Sequence, residues 1–252
     1  MSRFGNKLLS LIAGLLMILM LAYAGYSLWD NAMVTSGAFI GSDLLKYKPK
    51  EISEDGTNPT LEELKLINDD VRGWLTIDAT NVDYPVVQAE QDMYYVNRDV
   101  YKNFALSGAI FLTCINQPDF SDIYNVIYGH HMDNGAMFGN IVDFREADYF
   151  NKRKHGVLYL FDKTYDIDLF AAIETDAYDK EVYRTRAEDE DNSQLIEYLK
   201  ENADQYRDIG IKGDEKVIAF STCTTASTNG RVILFGRMKI CEGGADDSHE
   251  DR

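Results

Sequence analysis

Apolar residues fall into three regimes along this chain. From Leu8 to Trp29 they run without a single charged residue; between Pro59 and Gly73 they recur at helical spacing; beyond Gly73 they come in short runs. The first run, as a helix rising about 1.5 Å per residue, spans roughly the 30 Å hydrocarbon core of a bilayer. Arg3 and Lys7 precede it and Asp30 follows. The positive-inside bias then predicts a cytoplasmic N-terminus and an extracellular remainder. Tyr23, Tyr26 and Trp29 gather at the outer end, where amphipathic rings favour the interface. Ala22-Tyr23-Ala24 resembles a signal-cleavage site, so a removed leader is the rival reading. The run exceeds the about 7–15 apolar residues of a leader, which favours a retained anchor. Both readings export the domain.

Residues 31–58 read as a juxtamembrane helix or stalk. Pro59-Thr60-Leu61-Glu62-Glu63 reads as a helix start, with Thr60 as the cap and Glu63 reaching back to it. Leu61, Leu64, Ile67 and Val71 form its stripe, and Gly73 closes it. Eight runs rich in β-branched and aromatic residues follow: Trp74–Ile77, Tyr84–Val87, Ala109–Leu112, Asn125–Tyr128, Val157–Phe161, Ile167–Ile173, Val217–Ser221 and Val232–Met238. Gly, Asn, Asp or Lys separates most of them, as between strands. About eight short strands without alternating helices predict a mainly β fold, a closed or nearly closed barrel. One long helix interrupts the set at Asn192–Tyr206, with Leu195, Ile196, Leu199 and Ala203 on its buried face. The expected organisation is a stub and anchor over 1–30, a linker over 31–58, a globular domain over 59–241 and an acidic tail over 242–252.

Charge and cysteine usage narrow the function. A formal charge of −17 argues against a nucleic-acid surface, which needs a basic stripe. The acidic runs Glu188–Asp191 and Glu242–Asp251 read as a solvated loop and a frayed end. Three cysteines, at 114, 223 and 241, form no CxxC pair and stand beside no histidine cluster, which excludes a zinc site of usual spacing. The odd number leaves at least one free thiol. No EF-hand-type carboxylate loop is present.

Cys223 ends the run Val217–Thr222 and opens into a Thr/Ser/Asn/Gly loop. A thiol there has both order and access, as a reactive cysteine needs; a small buried hydrophobe closing the core fits the same position. His130 follows the run Tyr124–Tyr128 and Gly129. An imidazole at a strand end can exchange protons near neutral pH, although a loop histidine is commonly surface. Arg231 opens the last strong run after Asn229-Gly230. If the flanking runs pair, it returns beside Cys223, where a guanidinium can bind a carbonyl or oxyanion; alone, it is a hairpin-edge charge.

The combination is more specific than its parts. Tyr128-Gly129-His130-His131-Met132, Met137-Phe138, Ser221-Thr222-Cys223 and Arg231 in the next strand resemble the class B sortase pattern. Gly73-Trp74-Leu75, Asp83-Tyr84-Pro85-Val86-Val87-Gln88 and Tyr94-Tyr95 agree with it, so the resemblance runs from about Leu64 to Ile240. It implies a sortase-type β-barrel with extra N-terminal helices and a long helix between late strands. It also implies an extracellular transpeptidase that cuts a C-terminal sorting signal. Cys223 would attack the signal's threonine carbonyl and hold a thioester, His130 would serve as acid and base, and Arg231 would hold substrate and oxyanion. Ser221 and Thr222 become substrate-binding positions. No cofactor or metal is required. The partners implied are surface or pilin proteins and an amine acceptor, either a cell-wall precursor or a pilin lysine. His131 adjoins His130, and only the Gly-His match favours the latter. Phe220 replaces the usual leucine, and Thr224-Thr225-Ala226-Ser227 lacks the acidic or bulky residues common in wall-anchoring members. A Cys–His thiol hydrolase and a non-catalytic surface β-domain are the competing classes.

Overall fold

The computed structural model describes residues 2–35, 38–49, 57–183, 191–223 and 229–241. Helix α1 (Ser2–Thr35) contains the apolar run, which is long enough to cross a membrane from Arg3 to Trp29. A short helix α2 (Ser42–Leu45) and helix α3 (Pro59–Ile67) precede the sheet. The strands are β1 (Val71–Ile77), β2 (Asp83–Val87), β3 (Ile110–Leu112), β4 (Tyr124–Tyr128), β5 (His155–Tyr159), β6 (Thr164–Asp176), β7 (Gln205–Tyr206), β8 (Val217–Cys223) and β9 (Gly230–Ile240). Two 3-10 helices, Asp92–Asn97 and Gly139–Arg145, and helices α4 (Ala147–Lys152) and α5 (Ser193–Asn202) lie between them.

Strand order is β5-β1-β2-β3-β4-β8-β9-β6, and β6 pairs back onto β5 to close an eight-stranded barrel. Closure leaves no open edge in the ring, the usual remedy for unpaired strand groups. Strand β6 manages it by length. Residues 164–168 pair with β5, residues 171–172 pair with β7, and its other edge carries β9 throughout. The pairs β2–β3 and β4–β8 are parallel.

Period-two alternation sorts the side chains. Ile218, Phe220, Ile127, Val232 and Leu234 point into the barrel. Val217, Ala219, Tyr124, Val126, Ile233 and Phe235 point outward, under α5 and its Leu195, Ile196 and Leu199. A third apolar cluster joins Leu61 and Leu64 of α3, and Leu44 and Tyr47, to Trp74, Tyr95 and Phe111.

All eight expected strands form, but helix limits differ. Asn58, not Thr60, is the N-cap of α3, with Pro59 inside the first turn, where its missing N–H costs nothing. The Asn58 amide instead donates to the Leu160 carbonyl at 2.6 Å. Helix α3 ends at Ile67, so Val71 and Gly73 belong to β1. A Cβ on Gly73 would meet the Tyr159 carbonyl at 2.5 Å; its smallness serves strand approach, not helix termination. Helix α5 stops at Asn202 because Ala203 turns extended and the chain pairs with β6 as β7. The acidic run 188–190, the loop 224–228 and the tail 242–252 lie outside the described residues.

Candidate active site

Three adjacent strands end together. Strands β4 and β8 run parallel with Tyr128 opposite Ser221, and the Gly129 amide donates to the Ser221 carbonyl at 3.1 Å. His130 and Cys223 therefore each lie two residues beyond one matched pair. Strand β9 returns antiparallel with Arg231 opposite Cys223. The backbone thus brings His130, Cys223 and Arg231 to one barrel edge, although they are far apart in sequence. The side chain of Cys223 lies outside the described residues; position 223 has the strand parity of Ser221.

That edge borders a cleft of about 330 Å³ lined by Asp92, Met93, Val96, Phe111, Tyr128, Gly129, His130, Ser221, Thr222 and Arg231. Its floor is the outward face of β3, β4 and β8; its wall is the 3-10 helix Asp92–Asn97. The wall is tied at its start and at its middle. Asp92 accepts from the Cys114 amide at 2.6 Å and the Thr113 hydroxyl at 2.9 Å. Buried Tyr95 donates to Asp70 at 2.7 Å and accepts from Asn68 at 2.9 Å.

His130 leans on this wall, with Nε2 2.7 Å from the Val96 carbonyl oxygen. A carbonyl can only accept, so Nε2 carries a hydrogen and Nδ1 is the ring nitrogen left for proton exchange. The Ser221 hydroxyl lies 2.9 Å from the Tyr183 hydroxyl, and the Tyr183 ring stacks on Tyr128 at 6.4 Å. Burial first, then neighbouring Tyr183 and Asp92, push the Tyr128 phenol well above its ordinary value, while Arg231 pulls the other way. Tyr128 is therefore a neutral polar group in the cleft. Thr222 is buried, and its hydroxyl has no hydrogen-bond partner among the described residues.

The other candidates separate cleanly. His131 turns from the cleft towards Asp133, 3.3 Å away. Arg237, opposite Val217 at the far end of the β8–β9 ladder, pairs with Asp168 at 2.8 Å and Glu215 at 3.4 Å. Cys114 is exposed beside Asp92. Burial and Asp166 push the Cys241 thiol up to about 11. Asp92, Val96 and Tyr183 were not singled out in the sequence; the aromatic pair Tyr94-Tyr95 was the only local cue to this wall. Among the described residues no group of three or more His, Cys, Asp or Glu could hold a metal ion.

Comparison with known proteins agrees with this architecture. A sortase-domain family model matches residues 75–239, and the chain belongs to the sortase family of cysteine transpeptidases. Its relatives place it with class B. It is 27% identical over 180 residues to sortase B of Listeria monocytogenes, covering 71% of this chain and 73% of that one. Among solved structures it resembles a Streptococcus pyogenes class B sortase involved in pilus biogenesis, with 35% identity, TM-score 0.66, and coverage of 71% of this chain and 97% of that one. Sortase B from the type II pilus of Streptococcus pneumoniae is similar at 32% identity and TM-score 0.60, over 70% and 97% of the two chains.

Proposed function

We propose that this transpeptidase is tethered outside the cell by α1, with its N-terminus cytoplasmic, and transfers proteins bearing a C-terminal sorting signal to an amine. Cys223 is the nucleophile, His130 the acid–base group and Arg231 the carbonyl and oxyanion ligand. The observation that carries this reading is the shared register of β4, β8 and β9, which delivers all three to one cleft edge.

His130 takes the Cys223 thiol proton at Nδ1, the thiolate adds to the threonine carbonyl of the signal, and Arg231 donates to the oxygen as negative charge gathers there. The C–N bond breaks as His130 gives its proton to the leaving amine, leaving a thioester. An incoming amine attacks the thioester, His130 takes its proton, and the thiolate departs. One amide bond is broken and one formed, so no ATP is consumed. A held amine outcompetes water through its effective concentration. Ser221, Thr222 and Tyr183 bind the signal backbone along the cleft floor. The likeness to a class B sortase involved in pilus biogenesis and to a sortase B from a type II pilus supports a pilin lysine as acceptor over a cell-wall precursor.

Incubating the full chain with a sorting-signal peptide, with and without a lysine-bearing pilin segment, tests the reading. The expected result is an acyl adduct on Cys223 by mass spectrometry, resolved to a ligated product by the amine and absent in Cys223→Ala. Hydrolysis indifferent to amine would reassign the chain as a thiol hydrolase. Ligation to oligoglycine but not lysine would reassign the acceptor.

A further inference from the structure

Tyr84 belongs to the Asp83–Gln88 run, which the transfer chemistry leaves unused. Its ring is buried in the barrel core. Its hydroxyl donates to the Ala38 carbonyl at 2.8 Å and accepts from the Met137 amide at 3.0 Å. Ala38 lies in the segment that leaves α1; Met137 lies in the loop that follows His130. One hydroxyl therefore joins the membrane-proximal segment to the loop that carries the imidazole.

Both attachments are built in. On one side, Ala38 is fully buried in the barrel core, and Leu44 and Tyr47 are buried beside α3. Lys48 pairs with Asp83 at 2.7 Å, and the other Asp83 oxygen accepts from the Trp74 indole at 2.7 Å. The Tyr101 hydroxyl donates to Asp43 at 3.0 Å. On the other side, Met137 has φ 51°, a left-handed backbone that a side chain resists unless its surroundings fix it. Met137 bridges back to His131, and the next amide, Phe138, donates to the His130 carbonyl at 3.0 Å. Losing the Tyr84 hydroxyl would leave the buried Met137 amide unpaired at the bend after His130, and the buried Ala38 carbonyl unpaired in the segment beyond α1.

We propose that Tyr84 is a positioning residue for His130, through which residues 38–48 form a working part of the transfer site rather than a tether. The proposal rests on His130 as the acid–base group. The test uses the full chain in detergent. Tyr84→Phe is expected to lower kcat about tenfold with KM nearly unchanged, and to speed amide exchange over 130–138 but not in β8 or β9. Ala38→Glu, which unseats the segment from its other end, is expected to lower kcat similarly. The double variant should fall no further than the worse single one, since both cut one link. Wild-type kcat in Tyr84→Phe, additive losses, or exchange rising uniformly over the barrel would overturn the proposal. Should His130→Ala retain turnover, the assignment of the imidazole fails instead. The exchange of 130–138 then decides the Tyr84 link alone: unchanged protection removes it.

Discussion

Asp92 shows how one carboxylate can shape a cleft without meeting the reacting atoms. Its two oxygens hold the Cys114 amide and the Thr113 hydroxyl, pinning the start of the wall that supports His130. Asp92→Ala is expected to raise KM several-fold and change kcat less, because a slack wall weakens substrate and transition state alike. A fall in kcat at constant KM would instead place Asp92 in the chemistry. The same carboxylate also acts on Cys114, whose largely exposed thiol is raised by partial desolvation first and by Asp92 second. Asp92→Asn removes that charge, so Cys114 should ionise at lower pH and alkylate faster at pH near 8; an unchanged rate would mean that partial desolvation alone governs it. His130→Ala should cut transfer by about 10²–10⁴-fold, the usual contribution of a positioned acid–base group, in an assay of ligated product.

At the scale of elements, the strands were legible and their margins were not. Buried residues such as Val126, Ile218 and Leu234 declare themselves as short β-branched or aliphatic runs, and closure forces each run into a neighbour. The convergence of Cys223 and Arg231 followed from hairpin pairing alone. The wall Asp92–Asn97 gave no periodic signal, because a 3-10 turn is too short to show one. The contact of His130 with Val96 was invisible for another reason, being a bond to a main-chain carbonyl that any residue carries. The end of α5 was missed because Gln205 and Tyr206 suit a helix as well as a strand, and only the free edge of β6 decides between them. Gly129 illustrates a constraint that packing alone reveals. A Cβ there would come within 2.7 Å of the Phe138 ring, which packs edge-on against Phe220 of β8 at 6.0 Å. Gly129→Ala should therefore displace the His130 loop, lowering kcat at least tenfold and stability by about 1–3 kcal/mol, as overpacking does. A crystal structure of the variant with Phe138 unmoved, or wild-type kcat, would contradict this.

Across the whole molecule, barrel closure depends on β6, and its charged face sets a dependence on pH. Asp168 of β6 lies opposite Arg237 of β9 and His155 of β5. Its carboxylate pairs with Arg237 at 2.8 Å and Lys239 at 2.9 Å, and one oxygen lies 3.4 Å from His155 Nδ1; Glu215 shares Arg237. Burial raises the Asp168 pKa, but the two cations outweigh it and hold the group below its ordinary value. A carboxyl depressed on folding stabilises the native state fully above its unfolded pKa, about 3.9, and loses that contribution as pH falls through the folded one. The chain's −17 charge complicates a bare acid titration, since protonating exposed carboxylates also relieves self-repulsion. The difference between wild type and Asp168→Asn isolates the one group. The variant should melt several degrees lower at pH 7, and the gap should narrow as pH drops below about 3.9. A gap constant from pH 7 to pH 3 would mean that shape and hydrogen bonding, not charge, tie β5, β6 and β9 together. In the expected case, charge ties β6 to β9 at Asp168, while the opposite end of the same β8–β9 ladder holds Cys223 and Arg231. Acid would then loosen the barrel between β6 and β9, remote from the proposed transfer site.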